Sequence, residues 1–181
     1  MPRPYSTGKV GLVGTGMVGA SFAYALMQRG LANELVLVDL DTARAEGEAM
    51  DLNHGLPFVR PMRMYAGTYE QLAGAEVVVI TAGANQRPGE TRLDLLQRNA
   101  AVFRQIVPQV VAAAPDSIII IATNPVDILT TISDQIAGLA PGRVIGSGTI
   151  LDTARFRYML GEYYNVDPRS VHAYIVGEHG D

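Results

Sequence analysis

The 181 residues include no cysteine, which excludes a disulfide framework and any cysteine-ligated metal site. Lysine is nearly absent too: of 14 basic residues only Lys9 is lysine, the rest being arginine. There is no excess of positive charge. A formal net charge of −4 leaves no electrostatic footprint for DNA, RNA or an anionic membrane. No apolar run is long enough to cross a bilayer, and the first residues, MPRPYSTGKV, contain no apolar signal region. These absences are compatible with a cytoplasmic protein that has neither a membrane nor a nucleic-acid partner, and no metal site is expected. What is present is apolar residues, 48% of the chain, enough for one large domain with a sizeable core.

The chain is organised around residues 10–39, VGLVGTGMVGASFAYALMQRGLANELVLVD. The apolar run Val10 to Val13 reads as a buried strand. It breaks into Gly14-Thr15-Gly16-Met17-Val18-Gly19, followed by a helical pattern to Arg29 and a second strand from Glu34 to Val38 that ends on Asp39. This is G-x-G-x-x-G in the context its chemistry requires: strand, tight turn, helix, strand, acid. Gly14 permits the turn, Gly16 lets backbone approach a pyrophosphate with no Cβ in the way, and Gly19 lets the helix close on the strand. The helix start presents free N–H groups and a positive dipole to phosphates. Asp39 stands where an acid bonds a ribose 2′-OH, and its charge repels a 2′-phosphate, favouring NAD over NADP.

The remaining chain alternates strand and helix patterns, which predicts an α/β fold: a doubly wound parallel sheet with helices on both faces. Thr42 to His54 is a polar helix with His54 solvated. Arg63 to Ala66, Ala75 to Thr81, Ser117 to Ala122 and Arg143 to Ile145 read as strands. A Gly/Pro-rich loop spans Ala82 to Thr91, and apolar residues at 93, 96, 100, 103, 107 and 110 form a helical stripe. Pro108 is expected to kink or divide that helix. A helix to about Ala137 follows Thr123-Asn124-Pro125, another spans Ile150 to Tyr164, and Val171 to Val176 reads as a final short strand. No repeat, linker or low-complexity tract interrupts the pattern. Residues 1–148 make a complete nucleotide-binding unit, and 149–181 begin a second domain.

In open α/β sheets ligands sit beyond the carboxyl ends of the strands, so polar residues there are the candidates. Arg92 ends a loop able to close as a lid, or is a solvated charge at a helix start, where the dipole disfavours it. Asn124 precedes proline and is held extended; it either faces the site or caps the helix beginning at Val126. Asp152 and Arg155 share one helix face, a spacing that usually marks a surface ion pair. Arg157, about 200° round the helix from Arg155, points elsewhere. His172 sits in an apolar alternation. His179, in a glycine-flanked loop, has the near-neutral pKa of a candidate acid/base.

Five stretches, VGTGMVGAS, TAGANQRPGETRLDLLQRN, ATNPVDILT, GSGTILDTARFRY and VHAYIVGEHGD, span nearly the whole chain. Together they resemble the 2-hydroxy-acid dehydrogenases of the lactate/malate dehydrogenase family, and within it the bacterial L-lactate branch. The resemblance implies hydride transfer between NADH and pyruvate in glycolysis and fermentation. It implies cofactor contacts from Gly14, Thr15, Gly16, Met17, Val18, Gly19, Asp39, Thr81, Ala82, Gly83 and Asn124. His179 would then exchange a proton with the carbonyl oxygen, and Asp152 would orient its ring. Arg155 would clamp the substrate carboxylate, Arg92 would polarise the carbonyl, and Asn124 would bond near nicotinamide and substrate. Gln86 stands where related malate dehydrogenases carry arginine for a second carboxylate, which favours pyruvate over oxaloacetate, although Arg87 is adjacent. Asn85 replaces a family arginine. Arg157 and His172 match positions that bind fructose 1,6-bisphosphate across a subunit interface, implying an allosteric homotetramer. The family chain continues well past position 181, so the sequence is expected to be a truncated dehydrogenase or else a nucleotide-binding module with little turnover of its own.

Overall fold

In a computed structural model the described residues are 8–84, 89 and 91–179, with the main chain alone for Arg92. Six strands, β1 (Lys9–Val13), β2 (Glu34–Val38), β3 (Arg63–Ala66), β4 (Ala75–Ile80), β5 (Ile118–Ile121) and β6 (Val144–Gly146), form one sheet in the order β3-β2-β1-β4-β5-β6. Every neighbouring pair is parallel, so all six carboxyl ends lie along one edge. This is the doubly wound order in which the chain reverses direction between β1 and β4, opening a crevice at that edge.

Side-chain alternation along the strands splits the core in two. Val13, Val36, Val38, Val78, Ile80, Ile119 and Ile121 face α3 (Arg92–Ala113) and α4 (Val126–Ala137), where Phe103, Val107, Val110 and Leu129 are buried. Leu12, Leu35, Leu37 and Val79 face α1 (Met17–Arg29) and α2 (Thr42–His54), against Ala23, Met27, Ala45 and Leu52. Strands buried on both faces need no polar alternation, which is why VVVI of β4 and IIII of β5 read as unbroken apolar runs.

Local chemistry sets the helix ends. Asp41 caps α2 by accepting from Arg44 N (3.1 Å), and Thr91 with Asp94 closes a capping box on α3. α1 stops at Gly30, left-handed at φ 59°. A fifth helix, α5 (Ile150–Tyr164), follows β6 and leaves Leu151, Met159, Tyr163 and Tyr164 exposed. Among the described residues no helix is long and apolar enough to cross a membrane.

Two expectations need correction. α3 is not divided at Pro108: the helix is continuous from Arg92 to Ala113. Pro108 and Arg104 are both exposed, so the hydrogen bond proline cannot make is lost on the solvent side, while Phe103, Ile106, Val107 and Val110 anchor the opposite face. Nor is 171–176 a strand. Its apolar alternation suits a pleated edge, but its main chain at Ile175 bonds to side chains of α5, and only a short 3-10 turn, Pro168–Ser170, precedes it.

Candidate active site

The turn after β1 is tied to its neighbours on both sides. Gly14 N donates to Val38 O (2.8 Å) at the end of β2, and Thr81 Oγ1 donates to Gly14 O (2.8 Å) from the end of β4. Gly14 adopts φ 99°, and a Cβ there would meet Ala82 N at 2.5 Å. At Gly19 a Cβ would collide with the Gly14 carbonyl oxygen and lie 2.8 Å from Thr81 Oγ1. Gly16 differs: a Cβ there would meet nothing within 4 Å. Its lack of a side chain serves no packing within the chain and leaves open space at the helix start.

That helix start is itself uncapped. Gly16 is the N-cap of α1 and offers no side-chain acceptor, so the first-turn N–H groups point outward beside exposed Met17 and Val18. An open cradle with unpaired donors fits the pyrophosphate of a dinucleotide. Thr15 is fully buried beneath the turn, and its N–H and hydroxyl both donate to Asp39 Oδ2, at 2.6 and 2.8 Å. Asp41 N donates to Oδ1 (3.0 Å), and each carboxylate oxygen retains acceptor capacity. Burial acts to raise the Asp39 carboxyl, but these hydrogen bonds more than cancel it, so the group titrates below the usual aspartate value.

Between the ends of β4 and β5 lies a seam of polar contacts that sequence reading missed. Thr123 Oγ1 donates to Ala82 O (2.8 Å). Asn99, 1% exposed inside α3, accepts from Ala84 N (2.8 Å) and donates to Asn124 O (3.1 Å). One buried amide thus joins the start of the 82–91 loop to the cis Asn124–Pro125 turn. Gly83 packs so closely on this seam that a Cβ would lie 2.5 Å from Thr123 Cγ2. A buried asparagine within an apolar helical stripe was the available signal. Asn124 does not cap α4: the N-cap is Pro125, with no side-chain acceptor, and Asn124 is exposed at the carboxyl edge.

The histidine reaches this edge from the far end of the chain. His179 Nδ1 lies 2.6 Å from Asp152 Oδ2, with side-chain exposures of 21% and 27%. The His179 hydrogen bond is the largest influence holding the Asp152 carboxyl below its ordinary value. Arg155 Nη1 stands 3.8 Å from Asp152 Oδ1, the guanidinium mostly in solvent. His179 N donates to Asp127 Oδ2 (2.6 Å) in the first turn of α4, which follows β5. The pair is thereby held at the carboxyl end of β5, next to β4 and two strands from the glycine turn.

Arg92 begins α3 immediately after the loop, but its side chain lies outside the described residues, as do Asn85, Gln86, Arg87 and Asp181. Arg157 turns away from Asp152 as its helical spacing requires: its Nη2 donates to the carbonyls of Pro168 (3.3 Å) and Arg169 (3.5 Å). His172 is exposed two residues beyond that turn, and His54 is exposed at the end of α2. Among the described residues no group of three or more His, Asp or Glu is placed to hold a metal ion. A 540 Å³ hollow between α1 and α2, lined by Tyr24, Met27, Asp51 and Phe58, shares no residue with this site.

Fold and site together define a doubly wound, dinucleotide-binding α/β protein with a carboxylate-paired histidine beside the cofactor crevice. The family models for the lactate/malate dehydrogenase NAD binding domain and alpha/beta C-terminal domain match residues 8–146 and 149–181, and the chain belongs to that family. It is 58% identical over 175 residues to an L-lactate dehydrogenase of Priestia megaterium, covering 97% of this chain and 55% of that protein. It is 60% identical to the L-lactate dehydrogenase of Allorhizobium ampelinum over 96% of this chain and 56% of the other. The structure of minor L-lactate dehydrogenase from Enterococcus mundtii superposes with a TM-score of 0.93 at 51% identity, covering 98% of this chain and 57% of that one. The chain thus spans a little over half the length of the relatives it matches.

Proposed function

We propose that the protein to which this chain belongs is an NAD-dependent L-lactate dehydrogenase that interconverts pyruvate and L-lactate. The observation that carries the reading is the Asp152–His179 pair, held at 2.6 Å on the carboxyl edge of a sheet whose glycine turn is open and uncapped. Names of relatives at 51–60% identity support the substrate.

The backbone of Gly14 to Gly19 would hold the pyrophosphate, Asp39 the adenosine ribose, and Thr81, Ala82, Gly83 and Asn124 the nicotinamide end. NADH, when bound, supplies the hydride. With Nδ1–H donated to Asp152, the His179 ring leaves Nε2 to face the substrate. In its protonated form Nε2–H gives its proton to the carbonyl oxygen of pyruvate; in the reverse direction neutral Nε2 takes the proton from lactate. Asp152 keeps the ring in the required tautomer and orientation. The Arg155 guanidinium offers the substrate carboxylate two parallel hydrogen bonds. Arg92 would polarise the carbonyl, and its place at the first residue of α3 puts it at the inner end of the loop. A neutral amide at Gln86 leaves a second carboxylate unpaired, disfavouring oxaloacetate.

The proposal extends to a two-domain arrangement, 1–148 and 149–181 onward, and to a cytoplasmic, fructose 1,6-bisphosphate-activated homotetramer with Arg157 and His172 at the effector site. Arg157 is supported by its turn away from Asp152 toward the Pro168 carbonyl, and His172 by its exposure just beyond that turn. The test is turnover of pyruvate and oxaloacetate with NADH by the purified full-length protein. Pyruvate is expected to be preferred, and a Gln86→Arg variant to move preference toward oxaloacetate. Absence of pyruvate reduction, or of any response to the Gln86 change, would overturn the corresponding part. Bisphosphate that alters neither the saturation curve nor the assembly state would overturn the regulatory part.

A further inference from the structure

The segment carrying His179 runs past α5 without joining the sheet, so its main chain is held by side chains instead of a strand ladder. At Ile175 the N–H donates to Thr153 Oγ1 (3.1 Å) and the carbonyl accepts from Thr149 Oγ1 (2.6 Å). At His179 itself the N–H donates to Asp127 Oδ2 (2.6 Å), 52 residues earlier in the chain. Asp127 lies three residues past Asn124, in the first turn of α4. The ring and the peptide of His179 are therefore fixed by two different carboxylates on two different helices: Asp152 of α5 at Nδ1, Asp127 of α4 at the main-chain nitrogen.

We propose that Asp127 is a positioning residue for His179. One hydrogen bond at Nδ1 fixes one atom of the imidazole but leaves the peptide free to swing about it. A second, on the backbone N–H, fixes where the side chain starts, and with both ends held Nε2 has a defined direction. General acid–base transfer requires that direction, because the proton moves only within hydrogen-bond reach of the carbonyl oxygen. The contact also ties the histidine to α4, the helix that begins directly after Asn124–Pro125, so the acid/base and the cofactor-side turn move as one body. This inference rests on the reading of His179 as the acid/base.

An acid in the first turn of a helix also complements the helix dipole. Two substitutions separate that role from positioning. Asp127→Asn keeps an oxygen acceptor for the His179 N–H and discards the charge; Asp127→Ala discards both. Positioning predicts recovery in the first variant, whereas a dipole role predicts that both behave alike.

The experiment uses the full-length protein as wild type, D127A and D127N. It measures amide hydrogen exchange at His179, kcat for pyruvate reduction and KM for NADH. In D127A the His179 amide is expected to exchange about tenfold or more faster. Its kcat is expected to fall about 10- to 100-fold while KM for NADH stays within about twofold. D127N is expected to restore most of both losses. Unchanged exchange or unchanged kcat in D127A overturns the proposal, as does a D127N variant as impaired as D127A. Wild-type protein that protects the amide yet turns over no 2-oxo acid would instead sink the dehydrogenase reading, and the Asp127 contact would be judged on exchange alone.

Discussion

Thr15 and Asp39, 24 residues apart, are locked together by two hydrogen bonds from the N–H and hydroxyl of Thr15 to one carboxylate oxygen of Asp39. The acid after β2 secures the glycine turn, and under the proposed function it also binds the adenosine ribose. Asp39→Asn separates the two roles, because an amide oxygen still accepts from Thr15 while the charge is gone. The ratio of NADPH to NADH dissociation constants is expected to fall about tenfold, or ~1.4 kcal/mol, by fluorescence titration. An unchanged ratio would remove Asp39 from cofactor selection.

Two glycines of the turn are predicted to fail in different ways. Gly19→Ala drives a methyl into the Gly14 carbonyl and Thr81 Oγ1, and overpacking of this kind costs about 1–3 kcal/mol or more. Gly16→Ala meets open space, so its thermal midpoint should match wild type while NADH affinity drops. Thermal melts and NADH titration of both variants check this; a Gly16→Ala protein that binds NADH normally would show that no phosphate approaches there.

Asp152→Asn is expected to lower kcat for pyruvate about 10²- to 10⁴-fold with little change in NADH affinity. The amide NH2 can donate to Nδ1, which selects the tautomer with its proton on Nε2, the wrong one for a ring that must accept there. Steady-state kinetics and ring nitrogen shifts of His179 report on the rate and the tautomer. A kcat near wild type would mean the 2.6 Å contact is not used in the reaction.

Asn99→Ala should destabilise the protein by about 1–3 kcal/mol, because the buried amide is lost from the seam and Ala84 N–H and Asn124 C=O lose a partly buried hydrogen bond. Urea unfolding measures it. The same change is expected to weaken NADH binding through the Asn124 turn, whereas Asn53→Ala, which removes a bond to Met64 O on the far side, should not.

Acid lability follows from the carboxylates. A hydrogen bond from Tyr65 leads the influences lowering Glu34, that from His179 leads for Asp152, and Asp39 is lowered despite its burial. Each binds its proton less readily in the folded state than in the unfolded one, so stability rises with pH across this range. The contribution is complete above the ordinary values of 3.8 and 4.5 and is lost as pH falls through the lower, folded values. Urea midpoints should therefore hold steady from neutral pH down to about 5 and then decline. Unchanged midpoints at lower pH would contradict the shifts.

Much of this was legible from residues alone. Periodicity and turn chemistry are local, so α2 and α5 begin and end where the pattern places them, at Thr42–His54 and Ile150–Tyr164, and strand ends differ by a residue or so. The glycine turn was legible because the requirement for no Cβ is written in the residue type. Harder to read were the segment 171–176, whose alternation fits a strand it does not form, and Asn99, whose importance depends on what lies across the seam.

The sequence by itself determined the alternation of strand and helix, the open phosphate cradle and the absence of cysteine chemistry, all consequences of short-range pattern and residue type. Only the tertiary structure decided which strands are neighbours, and hence that Asp127 joins the Asp152–His179 pair that the resemblance implied. A hydrogen bond between residues 27 or 52 positions apart depends on how the helices pack on the sheet, and no local periodicity encodes that packing.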